Sequence, residues 1–254
     1  MELDGPDLPR PTRSAPSTGG LTRGEAIARP WPQRIQPLLV LSPKEYRALD
    51  KKLRGDFEKV LLEGPGQRRF LFKPDQVKID SGYGKFEVEA RRALAYERLA
   101  RIAGVDTPAM RMAQYQGRIG SLQEWRNAMT RAEILLYFRS DFERITSHPN
   151  YVASLQRMEL LDAVANNTDR LTNKNNWNHL IDPTDRHAIA IDNDMTFAVD
   201  GYVEPMQATA VKEELLELLL HNSSSIAEAL APYLTEPEVD AVQRRLGNMR
   251  TRFR

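Results

Sequence analysis

The chain contains no cysteine, which excludes disulfide staples and thiolate metal sites and says nothing about compartment. Long apolar runs are missing too: none approaches the roughly 20 residues that a membrane-spanning helix needs. Charge of one sign is absent, with 36 Lys and Arg against 35 Asp and Glu and a formal net charge of +1. That balance removes any bulk argument for nucleic acid or an anionic membrane as partner, and no nucleic-acid partner is expected. Histidine is scarce, and His148, His179, His187 and His221 fall at no metal-ligand spacing. The first 36 residues hold no apolar core of a secretory signal. The expected location is cytoplasmic, or outside the cell through a route without a conventional signal peptide, as for a secreted effector. Oligomeric state leaves no mark.

What remains is an ordinary globular composition, 41% hydrophobic and 28% charged over 254 residues, enough for one large domain or two lobes. Residues 1–36 are rich in Pro, Gly, Ser, Thr and Arg and are expected to form a loosely ordered arm. Ser42-Pro43-Lys44-Glu45 reads as a capping box opening a helix over Tyr46–Leu53. Two short apolar strands, Lys59–Glu63 and Arg69–Pro74, flank Gly64-Pro65-Gly66-Gln67 as a hairpin. After Asp80-Ser81-Gly82-Tyr83-Gly84, the pattern predicts a helix from about Phe86 to Ala103, stopped by Gly104. Met110–Tyr115 and Arg118–Leu122 make a second hairpin leading into Gln123-Glu124-Trp125. From there the pattern is helical, over about 131–139, 151–165, 208–220, 224–233 and 236–248. The fold class is therefore α+β, with a strand-rich N-lobe (37–123) and a helical C-lobe (124–254). A cleft between lobes is a usual ligand site.

One stretch carries the chemistry. An apolar-periodic helix through Leu155, Met158, Leu161 and Val164 ends in a polar loop, Asn166-Asn167-Thr168-Asp169-Arg170, followed by Asn175-Asn176-Trp177. The apolar run Ala188–Ile191 then delivers Asp192. Phosphoryl transfer needs mostly positioning and charge stabilisation: a cation, oxygens that hold metal, and a carboxylate that orients a hydroxyl. Asp169 suits the last role, and Asp192 with Asn175 or Asn176 suits the metal. The plain alternative is a set of turns in which short polar side chains satisfy loose backbone groups. Asp194 and Asp200 are weaker acidic candidates.

Lys73 is the candidate cation, ending an apolar strand where alternation can turn its ammonium toward the cleft while Phe70 and Phe72 pack elsewhere. A desolvated lysine needs a carboxylate partner, and the following helix offers Glu87, Glu89 and Glu97. At about 100° per residue, Glu87 and Glu97 fall among Arg91, Arg98 and Arg101 on a charged face, and Glu89 falls at the edge of the apolar face. Glu89 is the preferred partner. Gly64, Gly66, Gly82 and Gly84 could present backbone amides to phosphates, although neither loop is a Walker A motif. Gln123-Glu124-Trp125 is the expected hinge for adenine. The basic tail Arg244-Arg245, Arg250, Arg252 and Arg254 reads as a solvated end.

These pieces together resemble the atypical kinase superfamily of phosphoinositide 3/4-kinases, actin-fragmin kinase, secretory-pathway casein kinases and HipA-type kinases. Phe70-Leu71-Phe72-Lys73-Pro74 is similar to their ATP-binding lysine strand. Glu89, in Glu-Ala-Arg-Arg-Ala-Leu, is similar to their helix glutamate. Asn167-Thr168-Asp169-Arg170 resembles the Asn-x-Asp-Arg-His catalytic loop, and Ile191-Asp192-Asn193 resembles the Ile-Asp-Asn metal segment. The resemblance covers about 58–200 and implies a two-lobed kinase-like fold using ATP and Mg²⁺ or Mn²⁺. It implies an atypical protein Ser/Thr kinase with a protein substrate. A lipid or small-molecule kinase, an AMP transferase and a non-catalytic pseudokinase or scaffold are the alternatives. Two departures stand out: Leu171 replaces the usual histidine, and the loop to Asn175-Asn176 is about two residues longer than the common form.

Overall fold

The computed structural model describes residues 37–49, 53, 57–80, 84–171, 178–182, 184–200 and 207–252. The 1–36 arm, Gly82, Asn175, Asn176 and Trp177 lie outside the described residues.

The strands are β1 (Leu39–Val40), β2 (Arg47–Ala48), β3 (Val60–Glu63), β4 (Arg69–Pro74), β5 (Gln76–Asp80), β6 (Gly84–Val88), β7 (Met110–Tyr115), β8 (Arg118–Glu124), β9 (Met129–Thr130), β10 (His179–Ile181) and β11 (Ala188–Ala190). The helices are α1 (Ala90–Ala103), α2 (Arg131–Tyr137), α3 (Phe142–Thr146), α4 (Pro149–Ala165), α5 (Thr168–Leu171), α6 (Ala210–His221), α7 (Ser223–Leu230) and α8 (Glu236–Arg252). A mixed six-stranded sheet runs β1-β7-β8-β4-β3-β2, and a smaller sheet runs β11-β10-β9. The architecture is two-lobed α+β, with helices gathered in the second half. No helix among the described residues is long and apolar enough to cross a membrane.

Two apolar clusters fill it. A small one under the large sheet contains Leu41, Leu62, Phe72, Ala113, Tyr115 and Leu122. The larger joins α1 to α4, α6, α7 and α8 through residues such as Leu94, Tyr96, Leu161, Leu219 and Val242. Gly104 stops α1 in the left-handed region, φ 63°, where a side chain would be strained.

Both expected hairpins form, with Leu61 opposite Leu71 and Met112 opposite Ser121. The expected helix at Tyr46 does not. Ser42 closes a single turn, its carbonyl accepting from the N–H groups of Glu45 and Tyr46 at 3.0 and 2.9 Å. Arg47 and Ala48 then pair with Glu63 and Leu62, and Tyr46 packs edge-on against Phe70. Sheet pairing and this aromatic contact override a local capping signal. The helix expected from Phe86 begins at Ala90, because Gln76–Asp80 and Gly84–Val88 pair as a hairpin first.

Candidate active site

Lys73 lies near the end of β4, opposite Ser121, with Phe72 opposite Leu122 and Pro74 opposite Gly120. Phe72 enters the core beneath the sheet, so strand alternation sends Lys73 to the opposite face. The lysine is only 7% exposed. Its ammonium donates to the Asp192 carboxylate, and to Asp194 Oδ2 at 3.1 Å. Burial alone would lower its pKa; Asp194 and Asp192 outweigh burial and hold it above the ordinary lysine value.

Asp192 and Asp194 sit in the segment that leaves β11. Asp192 takes a left-handed φ of 55°, and Phe197, whose side chain is fully buried, takes 62°. An aspartate tolerates that region, whereas a bulky residue there costs on the order of 1–2 kcal/mol. The bend therefore persists because its surroundings fix it. Lys73 holds the Asp192 carboxyl below its usual range. Two carboxylates converging on one cation form a hard-oxygen donor set, which fits a divalent ion.

Asp169 belongs to the short turn α5, reached after Asn166 ends α4 with a left-handed φ of 51°. Its Oδ2 accepts from the side-chain amide of Asn178. The neighbouring Arg170 ties the site together. It donates to Asp162 through Nε (2.7 Å) and Nη2 (2.6 Å), to the Tyr96 hydroxyl (2.9 Å), to the Asn178 carbonyl (2.9 Å), to the Ile191 carbonyl, and to Asn193 Oδ1 (2.7 Å). Ile191 and Asn193 flank Asp192, so one guanidinium laces the Asp169 turn to the Asp192 segment. Burial would lower the Arg170 pKa, but Asp162 and Tyr96 together outweigh it and hold the group charged. Tyr96 also donates to Asp162 (2.8 Å) and is pushed well above its ordinary pKa, first by burial and then by Asp162.

The other predicted site residues do not all gather here. Glu89 precedes the first turn of α1 instead of lying inside a helix. Its carboxylate pairs with Arg91 at 2.7 Å and Arg92 at 3.0 Å, and the described ion pairs of Lys73 are to Asp192 and Asp194. The first turn of α1 is capped from β4's side, by Asp75 Oδ1 accepting from the Ala90 N–H at 2.7 Å. Glu97 and Arg91 are buried where a solvated face was expected; Glu238 of α8 covers Arg91 and accepts from it at 2.7 and 3.1 Å, and Glu97 pairs with Arg101 at 2.5 Å.

Gly64 and Gly66 close the β3–β4 turn at the Arg69 end of the strand, away from Lys73. The Gly64 N–H already donates to the Arg68 carbonyl (2.8 Å), so that amide is taken by the turn itself. Gly84 opens β6 opposite Asp80. At the expected hinge, Gln123 is buried, Glu124 pairs with Arg68, and the Glu124 and Trp125 N–H groups donate to the Ala109 and Arg69 carbonyls at 2.9 Å.

Sequence reasoning missed Asp162 and Asn178 and ranked Asp194 too low. Asp162 carried a usable signal: a carboxylate inside an apolar helix stripe requires a buried partner, and Arg170 stands in the next loop.

No family model matches the chain, and no curated protein matches its sequence. Solved structures do match in shape. A Golgi casein kinase with Mn and ADP bound superposes with a TM-score of 0.54 at 14% identity, over 83% of this chain and 72% of that one. The same kinase in a second structure gives 0.52 at 13% identity, over 83% and 71%. The Helicobacter pylori proinflammatory kinase CtkA gives 0.51 at 10% identity, over 85% of this chain and 95% of that one. The fold is kinase-like. At such identities the likeness concerns the fold, and function is argued from the site.

Proposed function

We propose that this kinase-like chain is an ATP-dependent phosphotransferase that transfers the γ-phosphoryl group to a hydroxyl, on a protein substrate, as an atypical Ser/Thr kinase. The observation that carries the reading is the meeting of Lys73, from the sheet lobe, with Asp192 and Asp194 from the helical lobe, while Arg170 holds the Asp169 turn against the same segment. The lobes divide as 37–123 and 124–254.

In this reading Lys73 contacts the nucleotide phosphates. Asp192 and Asp194, with Asn175 or Asn176, would hold Mg²⁺ or Mn²⁺, which would neutralise phosphate charge. Asp169 orients the acceptor hydroxyl and takes its proton, with Asn178 fixing one carboxylate oxygen. Gln123, Glu124 and Trp125 border the adenine, and Gly82 and Gly84 would offer backbone amides to the phosphates, in preference to Gly64 and Gly66, which lie at the far end of β4 from Lys73. Glu89 serves the site indirectly, by anchoring the start of α1 beside Asp75 and Lys73. The balanced charge favours a protein acceptor over a lipid. In this reading the chain acts in the cytoplasm or as a secreted effector.

Leu171, in place of the usual histidine, favours a second reading, a nucleotide-binding pseudokinase or scaffold. Incubation with γ-labelled and α-labelled ATP and Mn²⁺ separates the cases. Label transferred from the γ position supports the kinase, and label from the α position supports AMP transfer instead. A nucleotide-dependent rise in melting temperature with no label transferred supports the scaffold.

A further inference from the structure

Arg245 was read from sequence as part of a solvated basic tail. It is 8% exposed, and its surroundings are unusual for a buried cation. Among the described residues no carboxylate pairs with it, and its Nη2 has no hydrogen-bond partner. Its two bonds are to backbone carbonyls: Nε donates to Val164 (2.8 Å) and Nη1 to Ala198 (3.1 Å). An unpaired buried charge is costly, so the position of these two carbonyls calls for explanation.

Val164 lies in the last turn of α4, just ahead of the loop that carries Asp169. Its carbonyl belongs to the negative end of the helix, a favourable place for a cation. Ala198 lies just past Asp192 and Asp194, directly after the left-handed Phe197. The two segments touch there: the Phe197 N–H donates to the Ala165 carbonyl (2.6 Å), and Asn166 Nδ2 donates to the Ala198 and Asp200 carbonyls (3.2 Å each). One planar guanidinium therefore joins the two backbone segments that lead to Asp169 and away from Asp192.

The same helix is anchored at its other end. Glu238 lies about two turns earlier on α8, on the same face, and accepts from Arg91 (2.7 Å) and from Arg92 (2.9 Å) in the first turn of α1. That turn is capped by Asp75, two positions past Lys73. Helix α8 thus spans from the lysine side of the cleft to its carboxylate side.

We propose that Arg245 is a positioning residue that sets the separation of the Asp169 and Asp192 segments, with α8 as the strut that carries it; this rests on the proposed roles of Asp169 and Asp192. A lysine would serve the helix end as a charge but cannot reproduce the planar fork that reaches both carbonyls. Arg245→Lys therefore separates a clamp from a simple cap.

In full-length protein, Arg245→Lys is expected to lower kcat on the order of tenfold or more with the KM for ATP unchanged. Arg245→Ala is expected to lower kcat further and to recover part of it in low-millimolar guanidinium, but not in ammonium. Hydrogen exchange at 166–171 and 192–200 should rise in Arg245→Lys while α6 and the β7–β8 hairpin keep their protection. Wild-type kcat and exchange in Arg245→Lys would overturn the proposal, as would a loss that guanidinium does not restore and that raises KM equally. If the wild-type protein transfers no phosphate, the proposed function fails. The exchange measurement then decides the clamp alone, and unchanged exchange in Arg245→Lys overturns it.

Discussion

Arg170 and Asp162 form a two-point ion pair, Nε and Nη2 to the two carboxylate oxygens at 2.7 and 2.6 Å, between side chains that are 6% and 2% exposed. Asp162 has no place in the proposed chemistry, yet it holds the arginine that touches both sides of Asp192. Removing one partner of a buried pair strands the other charge, at a cost of about 3–5 kcal/mol. Asp162→Asn is expected to lose about that much in a denaturant titration. Wild-type stability in Asp162→Asn would show that Arg170 is not held by this carboxylate.

Lys73 stands between Asp192 and Asp194 as their only described cation of close contact. Lys73→Met leaves two carboxylates facing one another, so the variant should respond more strongly to Mn²⁺ than the wild type does. A ligand at about 100 times its Kd stabilises by about 2.7 kcal/mol, readable as a rise in melting temperature. Equal Mn²⁺ responses in both proteins would argue against a metal site at this pair.

Gly120 lies opposite Pro74 where β8 pairs with β4. A Cβ there would lie 2.2 Å from the Lys73 carbonyl oxygen and 2.6 Å from Pro74 Cα, and backbone cannot yield as a side chain can. Gly120→Ala should cost about 1–3 kcal/mol or more and displace Lys73. Gly64→Ala would meet the Tyr46 and Phe70 rings at 2.7 and 2.8 Å, far from the lysine, so it should lower stability with a smaller effect on nucleotide binding. Equal loss of nucleotide affinity in the two variants would contradict this placement.

Much of this arrangement was legible in the sequence, and the exceptions have physical reasons. Lys73 and Asp192 could be read because each ends a short apolar strand, and the helices of the second half could be read from periodicity and caps. Glu89 falls just ahead of α1 and not within a helix, because Lys85-Phe86-Glu87-Val88 alternates as well as it spirals and its pairing with Gln76–Asp80 decides the matter. β1 and β2 are too short to leave a pattern, and β1 pairs with the distant β7. The burial of Arg91 and Arg245 depends on where α8 packs, which no local window contains.

A buried histidine and a half-buried aspartate give opposing pH dependence. Burial first, then Arg170 and Arg131, lower the His179 pKa from 6.5 to about 4. The unfolded chain therefore binds the extra proton between those values, and this term makes stability rise with pH across that window. Burial raises Asp75 from 3.8 to about 6. The folded chain binds that proton more tightly, so this term makes stability fall as pH rises from 3.8 to 6. His179→Gln, which can keep a hydrogen bond to Tyr151, should flatten the rise, and Asp75→Asn should flatten the fall. Denaturation midpoints measured from pH 4 to 7 check both, and an unchanged profile in either variant would contradict its assignment.

In the proposed reaction Asp169 and Asp192 work with Lys73 in one cleft. The most direct measurement is transfer of label from γ-labelled ATP in Mn²⁺ to protein by the wild type, Asp169→Ala and Asp192→Ala, each checked for folding by circular dichroism. The expected result is metal-dependent transfer by the wild type and a loss on the order of 10²-fold or greater in each variant. Transfer that survives both substitutions in folded protein would contradict it.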